Sequence, residues 1–447
     1  MSFGGPGDLQ GVDRAEELLK IYLRLTLVST LASSMIWGIN TLFLLDGGLS
    51  ITEAFAANAF FTAGMVLFEV PTGVVADAVG RRASYLLGTA TLFLSTLLYL
   101  LMWWADGPFL AWAAVSVLLG LGFTFFSGAT EAWLVDGLQA TGYTEPLETA
   151  FARGQVVTGI AMLTGTVAGG AIAQFSNLGV PYVVRAVLLA ATFAVAARSM
   201  HDVGFVPART GSVTVEMRAI VRSSLHHGLL NPPVRWLMLA APFTAGVGVY
   251  GFYAAQPYLL ELYGDDEAYV VASLSAALVA ATQIVAGLLV PKVVRLLARR
   301  TSFLLVGGVI TSVTLVGMGL TSHFGVAVGL LAVWGTVFAA IGPVRQALLN
   351  GLIPSKERAT VLSSDNLLAS AGGVVAQPGL GRAADAWSYG TAYLVSAVVE
   401  LLALPFVLLA RREDVPSDDT DDPAPEAPSD ATATPPADPV TATPDAA

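Results

Sequence analysis

Two carboxylates inside long apolar segments are the side chains best placed to do chemistry in this chain. Glu69 precedes Asp77 in "EVPTGVVADAVGRRAS", and Glu131 precedes Asp136 in "GATEAWLVDGL". On helices, Glu69 would lie ~12 Å and Glu131 ~7 Å deeper in its segment than the aspartate that follows. An ionisable group at such depth is costly and usually faces a cavity or a partner, and burial favours the protonated form. Each glutamate is therefore a candidate for proton coupling, with a structural ion pair as the alternative.

Three further charged residues in apolar segments are candidates for pairing or for substrate contact. Arg153 could neutralise Glu131, which would make that pair structural. Arg345 could bind an anionic substrate group or pair with an acid, and its place near the end of its segment favours pairing. Asp365 and Asn366, in "VLSSDNLLAS", form a polar spot that we expect to face a cavity rather than another helix.

Aromatic and amide side chains in other apolar segments are candidates to line a substrate path. These candidates are Trp37, Asn40, Tyr250, Tyr253, Gln256, Gln283, Trp334 and Asn366. Tyr250 and Tyr253 would share one face of a helix. For each residue alone, helix packing or anchoring at the membrane interface is the alternative role.

Composition excludes several kinds of site. The chain has no cysteine, which excludes disulfides and thiolate metal sites, and its four scattered histidines do not indicate a metal centre. No Walker A pattern is present, and no Ser/His/Asp constellation is visible. A net charge of −11 argues against a nucleic-acid partner. We therefore expect neither an enzyme nor a bound cofactor or metal.

The elements that must hold these residues are predicted to be membrane helices. Hydrophobic residues make up 55% of the chain and charged residues 12%, whereas soluble domains carry about 25% charged residues. A spanning helix needs about 20 mainly apolar residues. Such segments lie at 20–45, 52–77, 83–104, 109–137, 148–175, 181–201, 235–262, 268–294, 302–321, 325–352, 359–382 and 389–410. The sequence therefore predicts an all-α protein of twelve transmembrane helices in two groups of six, with the lipid bilayer as its solvent.

Composition also divides the chain into five parts. We expect a polar N-terminal segment at 1–19, a six-helix bundle at 20–202 and a basic central loop at 203–234. A second bundle follows at 235–411, and residues 412–447 are acidic and rich in proline. A tail of that composition cannot bury a core, so we predict that it is disordered. The N-terminus lacks the features of a cleaved signal peptide, so the first apolar segment is expected to be retained.

Arginine and lysine placement predicts the orientation in the membrane. Basic residues cluster in alternate loops, whereas "DGGLSITEA", "ADGP", "YGDDEA" and "TSH" contain no arginine or lysine. Because basic loops stay in the cytoplasm, we expect both termini and the central loop to be cytoplasmic. The high alanine and glycine content suggests a bacterial genome and hence the plasma membrane.

The two groups of six resemble each other. "GATEAWLVDGL" aligns with "GPVRQALLNGL", which pairs Glu131 with Arg345. "VVADAVGRRAS" aligns with "KVVRLLARRTS" at nearly the same offset, which pairs Asp77 with Arg295. These matches predict a parallel duplication, with a substrate path near the membrane midplane between the halves.

The stretch after the second segment resembles the signature of the major facilitator superfamily. That signature is Gly-x-x-x-Asp-basic-x-Gly-Arg-basic, and Ala78 departs from it where a basic residue is usual. The matching residues are Gly73, Asp77, Gly80, Arg81 and Arg82. The resemblance implies a motif that latches the two halves in the outward-open state, with Asp77 facing the start of helix 11. Asp136 could pair with Arg81, and topology anchoring by the arginines is the alternative role.

The resemblance implies a secondary transporter that works by alternating access. "GTVAGG" resembles the core of a drug–proton antiporter motif, with Thr166 in place of proline, although its glycines could equally serve close packing. We expect proton-coupled export of small hydrophobic, amphipathic or cationic molecules by a monomer, driven by the proton gradient. Proton-coupled uptake of a nutrient is the alternative, and a non-transporting sensor or a lipid-modifying enzyme is a remote one.

Overall fold

The computed structural model describes residues 6–126, 128–143, 145–207, 228, 230–353 and 358–419. Within these ranges the chain is helical, without a named β-strand. The first half contains α1 Pro6–Ser34, α2 Asn40–Asp46, α3 Ile51–Val79, α4 Arg81–Trp104, α5 Phe109–Thr124, α6 Ala129–Ala140, α7 Leu147–Phe175 and α8 Gly179–Ser199. The second half contains α9 Pro232–Tyr263, α10 Tyr269–Leu296, α11 Arg300–Leu320, α12 Phe324–Leu352, α13 Arg358–Ala386, α14 Tyr389–Leu401 and α15 Leu404–Arg412.

Ten helical stretches in the described ranges are long and apolar enough to cross a membrane. They include α5 with α6 and α14 with α15 as single stretches. Two other spans were predicted. The span 20–45 corresponds to α1 together with α2, and the span 359–382 corresponds to α13. The first is divided at residues 35–39, and α13 contains the polar run 363–366 and also Gln377, so neither is among the ten.

Helix α1 begins earlier than predicted. The segment 1–19 was expected to be polar and separate, but α1 starts at Pro6. Ala15, Leu18 and Leu19 recur on one face of α1 and are buried in a cluster with Trp133. This amphipathic spacing extends the helix because its apolar face packs against the first half.

The predicted tail also begins later than expected. Residues 413–419 follow α15 in a defined conformation that includes a 3₁₀ turn at Pro416–Asp418. Asp418 is buried and accepts hydrogen bonds from the backbone N–H of Thr301, at 2.7 Å, and from its hydroxyl, at 2.6 Å. Residues 420–447 of the predicted disordered tail, and 208–227 of the predicted central loop, lie outside the described residues.

Asp418 has a counterpart in the first half. The Asp202 carboxylate accepts a hydrogen bond of 2.8 Å from the backbone N–H of Arg82, in the first turn of α4. In both halves, an aspartate that follows the last helix thus caps the start of the third predicted span. A carboxylate there satisfies a free N–H group and is favoured by the helix dipole. The shared arrangement supports the predicted duplication.

One end of the bundle holds the starts of α4 and α11 and the last turn of α15, and we call it the basic end. Arg81, Arg82, Arg300 and Arg411 lie there. The other end holds the connections 47–50, 105–108, 176–178, 264–268 and 321–323, and we call it the opposite end. The two halves pack together through three helix pairs: α3 with α13, α7 with α10, and α2 with α9.

Candidate functional site

Contacts between the halves centre on the break between α1 and α2. The Gln256 side chain of α9 donates a hydrogen bond of 2.8 Å to the Trp37 carbonyl. Its Oε1 atom accepts one of 3.2 Å from the backbone N–H of Thr41, and the Thr41 hydroxyl donates to the Tyr253 carbonyl at 3.1 Å. A broken membrane helix leaves backbone groups without helical partners, and the second half supplies partners for them here.

Two further bonds between the halves lie near the opposite end of the bundle. The Thr52 hydroxyl donates to Asp385 at 2.8 Å, near the ends of α3 and α13. Gln174 accepts from the backbone N–H of Val270 at 3.3 Å, where α7 meets α10. These contacts, together with the Gln256 contacts, close the opposite end of the bundle.

The glycines of "GTVAGG" serve this close packing. A Cβ at Gly169 would overlap the Met35 carbonyl oxygen in the α1–α2 break, and one at Gly170 would overlap the Ser273 side chain of α10. The close-packing alternative for the sequence motif therefore has a direct structural basis.

A cavity of about 820 Å³ lies between the halves on the basic-end side of these contacts. Its wall contains the rings of Phe61, Tyr253, Phe252, Trp334 and Phe338, and no ionisable group other than the tyrosine hydroxyl. Trp334 and Phe338 stack at 5.2 Å between ring centroids. A second cavity of about 240 Å³ reaches Trp37 and shares Phe252, Tyr253 and Gln283 with the first. An apolar wall with a few polar groups is the usual form of a small-molecule site.

The structure separates the cavity candidates into two groups. Tyr253, Gln283, Trp334 and Asn366 line the larger cavity, and Trp37 lines the smaller one. The others are Asn40, Gln256 and Tyr250, which lie in the packed interior outside both linings.

Tyr250 and Tyr253 therefore differ in environment although they share a helix. Tyr250 packs against Phe55 at 4.8 Å between ring centroids and is fully buried, whereas Tyr253 faces both cavities. A spacing of three residues places side chains on neighbouring positions, and the Phe55 ring of α3 covers only one of them.

Glu69 and Glu131 are exposed and contribute to neither cavity wall. The expected pairing of Arg153 with Glu131 is replaced by another: Arg153 Nη2 lies 3.8 Å from Glu145 Oε2, and both side chains are more than half exposed. Glu145 precedes α7 in the connection after α6, so it reaches the arginine near the start of α7. Such an exposed pair contributes little to stability.

Arg345 and Asp365 form a bidentate ion pair. Arg345 Nη1 lies 2.6 Å and Nη2 2.5 Å from the two carboxylate oxygens, and Nη2 also donates to the Leu237 carbonyl at 3.0 Å. The pair therefore joins α12, α13 and α9. Asp365 is buried and lies outside the larger cavity's wall, so the predicted cavity-facing position applies to the neighbouring Asn366 alone.

The residues of the predicted latch motif contact the first half. Arg81 Nη1 lies 2.5 Å from Asp77 Oδ1, and Arg81 Nε lies 3.9 Å from Asp136 Oδ2. Arg82 donates from Nη2 to the Ala197 carbonyl at 2.8 Å. Gly80 has φ +122°, and a Cβ there would overlap Asp202, so this position requires glycine. These contacts order the connection between α3 and α4.

Gly73 differs from the sequence expectation in this conformation. We predicted that it lets a neighbouring helix approach closely. A Cβ at this position would have no described atom within 4 Å beyond its own helical neighbourhood.

The sequence profile of the Major Facilitator Superfamily matches residues 24–339 and 293–438 of this chain. The chain belongs to the Major Facilitator Superfamily. No curated protein sequence matches it significantly.

Solved structures with a similar fold are transporters of this superfamily type. The nucleoside transporter NupG is 12% identical with a TM-score of 0.71, over 88% of this chain and 99% of that chain. A bacterial homolog of the human lysosomal transporter Spinster, in an inward-facing and occupied conformation, is 15% identical with a TM-score of 0.67, over 89% and 97%. A POT family transporter in complex with 5-aminolevulinic acid is 13% identical with a TM-score of 0.67, over 88% and 96%. At these identities the likeness shows the fold alone.

Arg185 and Glu400, two charged residues buried in apolar helices of this superfamily member, were absent from the sequence candidates. Arg185 of α8 is 1% exposed, and Glu400 of α14 is 2% exposed and accepts a hydrogen bond from the Thr311 hydroxyl at 3.3 Å. Both stand alone in apolar runs, "YVVRAVLL" and "AVVELLAL", and that isolation is a signal that could have identified them.

Proposed function

We propose that this superfamily member is a proton-coupled secondary transporter that exports small hydrophobic or amphipathic molecules by alternating access. The observation that carries this proposal is the apolar cavity between the halves, closed at the opposite end and extending toward the basic end. Its volume of about 820 Å³ suits a drug-sized molecule. The aromatic wall supports an apolar body, and the wall carries no carboxylate that would select a cation.

In the proposed arrangement the chain crosses the membrane twelve times with both termini in the cytoplasm. Helices α1 with α2 and α13 supply the two crossings beyond the ten apolar stretches. The basic end then faces the cytoplasm, because arginines cluster there. The cavity would open to the cytoplasm, as in the inward-facing Spinster homolog. Substrate would load from that side.

The latch belongs to the opposite state of the cycle. When the basic end closes, Asp77 would face the start of α13, near Arg358, and the bonds of Gln256 would break. Asp77 is 44% exposed in its side chain, so it is accessible to a new partner. Arg81 already holds it at the end of α3, which would reduce the entropy lost on forming the latch.

Glu69 and Glu131 are the proposed carriers of the coupling proton. Both are carboxylates, and their exposure here would let them exchange protons with water. Closure of the basic end would separate them from that water. Proton release would then accompany reopening toward the cytoplasm.

Proteoliposomes with pyranine in the lumen test this function. The probes are ethidium and anilinonaphthalene sulfonate, whose fixed charges carry no exchangeable proton at neutral pH. Entry of a probe by antiport should raise the lumen pH above that of protein-free vesicles, whereas symport should lower it. If neither probe moves protons beyond the protein-free control, the proposal is wrong.

The coupling residues are tested in the same vesicles. Glu69→Gln or Glu131→Gln should abolish probe-driven proton movement while leaving probe binding in detergent unchanged. Glu145→Gln is the matched control, because Glu145 forms only an exposed pair with Arg153. Unchanged coupling in both test variants would contradict these assignments.

A further inference from the structure

Arg185 is a buried cation whose partners do not neutralise it. Its Nε donates to the Thr96 hydroxyl at 3.1 Å and its Nη1 to the Ser33 carbonyl at 3.3 Å. Nη2 is buried without a hydrogen-bond partner, and no described acidic group forms an ion pair with this guanidinium. The residue lies about 9 Å into α8 by helical rise.

The second half shows how this fold neutralises such a group elsewhere. Arg345 receives both oxygens of Asp365 and a carbonyl as well. Arg185 receives a hydroxyl and a carbonyl, and both are neutral. Removing a charge from water without an opposite charge is strongly unfavourable, which makes an isolated intramembrane arginine a marker of a site.

A chain of hydrogen bonds that starts at Tyr182 also ends in a buried donor without an acceptor. The Tyr182 hydroxyl, one turn before Arg185, donates to Asn40 Oδ1 at 3.0 Å. Asn40 Nδ2 then donates to Asn58 Oδ1 at 3.0 Å, and Asn58 Nδ2 is left buried without an acceptor. An acceptor-rich anion is the species that would use the spare donors of this cluster.

Aromatic rings connect this cluster to the larger cavity. The Arg185 guanidinium carbon lies 6.0 Å from the centroid of the Phe123 ring, and Phe123 contacts Phe61 at 5.5 Å between centroids. Phe61 lies in the cavity wall. The rings of Phe123 and Phe61 therefore separate Arg185 from the cavity.

We propose that Arg185 is the receptor for a small monovalent anion. The anion is either a carboxylate carried by the transported molecule or a free halide that accompanies it. An anion would supply the negative charge that this cluster lacks, and Nη2 offers it a free donor. The carboxylate case rests on the proposed transport function and gives the proposed amphipathic substrate a negative charge.

The test measures thermal unfolding of the full-length protein in neutral detergent by intrinsic tryptophan fluorescence. Sodium chloride, bromide, formate and acetate are each compared with sodium gluconate at equal ionic strength, because gluconate is too large and hydrated for a buried cluster. A ligand that binds only the folded state raises the unfolding temperature in a saturable way. If only the halides stabilise the protein, the anion is a free halide that accompanies the substrate. If only the carboxylates do, the anion is the carboxylate of the transported molecule. Stabilisation by both classes supports a site for small anions in general. Stabilisation by none overturns the proposal.

Variants assign the response to this residue. Arg185→Gln should lose the anion-dependent rise, whereas Arg382→Gln, at an exposed arginine, should keep it. Arg185→Lys retains the charge but not the planar guanidinium with its several N–H donors, so it should need a higher anion concentration for half-maximal stabilisation. The proposal is overturned if the anion-dependent rise persists in Arg185→Gln. If the glutamine variant does not fold, an unchanged half-maximal anion concentration in Arg185→Lys overturns it instead. The measurement requires no transport, so its failure is separate from failure of the proposed function.

Discussion

Gln256→Leu should open the end of the molecule that is closed here. The side chain of Gln256 is fully buried and bridges both sides of the α1–α2 break, through the Trp37 carbonyl and the Thr41 N–H group. Leucine is of similar size and keeps the apolar packing of α9, but it forms neither bond. In the closed state both backbone groups would remain buried without these partners, whereas opening would expose them to water.

The size of the effect follows from the two lost bonds. Each neutral hydrogen bond contributes about 1 kcal/mol net, so the closed state loses about 2 kcal/mol relative to the open one. Since 1.4 kcal/mol is a factor of ten, the open-to-closed ratio should rise roughly 30-fold. An open state populated at about 1% would then reach about a quarter of the molecules.

Distance measurements between spin labels can detect that population. The chain has no cysteine, so cysteines introduced at Ser176 and Asp266 would be labelled without background. These exposed positions flank the contact between Gln174 and Val270, one on each half. Gln256→Leu should add a longer distance to the distribution seen for the parent protein in proteoliposomes.

The control is the same glutamine-to-leucine substitution at a different position. Gln283 lines both cavities and makes no hydrogen bond to the first half within the described chain, so Gln283→Leu should leave the distances unchanged. Identical distributions for the parent and Gln256→Leu would refute the inference that these bonds hold the opposite end closed. An equal change in both glutamine variants would refute it as well.

Substitutions at Asp418, at Gly80 and in the Arg345–Asp365 pair test the stability of the two halves by thermal unfolding in detergent. Asp418→Ala removes the cap on the Thr301 N–H group and should lower the free energy of unfolding by about 1–2 kcal/mol. Asp418→Asn should lower it less. Equal unfolding temperatures for the parent protein and both variants would contradict the cap. Gly80→Ala should lower the unfolding temperature more than a typical surface change, because φ is +122° there, and a neutral effect would show that the connection rearranges freely. Arg345→Gln leaves the buried Asp365 carboxylate without its cation and should cost about 3–5 kcal/mol, whereas Arg345→Gln with Asp365→Asn should recover part of the loss; additive effects would contradict the coupling.

Helix placement was predictable because it depends on local apolar runs. The predicted spans 52–77 and 148–175 coincide within a few residues with α3 and α7, and the predicted break before 235 coincides with the start of α9 at Pro232. The early start of α1 was missed because its polar residues lie on one face, while the other face packs on Trp133. The structured end of the chain was missed because Asp418 is held by Thr301, more than a hundred residues earlier.

Site residues were harder to predict because their roles depend on what faces them. Residue type identified Tyr253, Gln283 and Trp334 as wall candidates, and all three line the cavity. It could not distinguish Tyr253 from Tyr250, since only the position of a second helix decides which one is covered.

The amino-acid sequence alone identifies an all-helical membrane protein with a superfamily motif after its second apolar segment, and it predicts a duplicated organisation. Those properties follow from runs of apolar residues and from short spacings, which are local. The tertiary structure alone determines which charges are neutralised. Arg345 meets Asp365 because two helices cross at those residues, whereas Arg185 meets neutral groups behind two aromatic rings. Coulomb interactions depend on distance through space, and separation along the chain does not specify that distance.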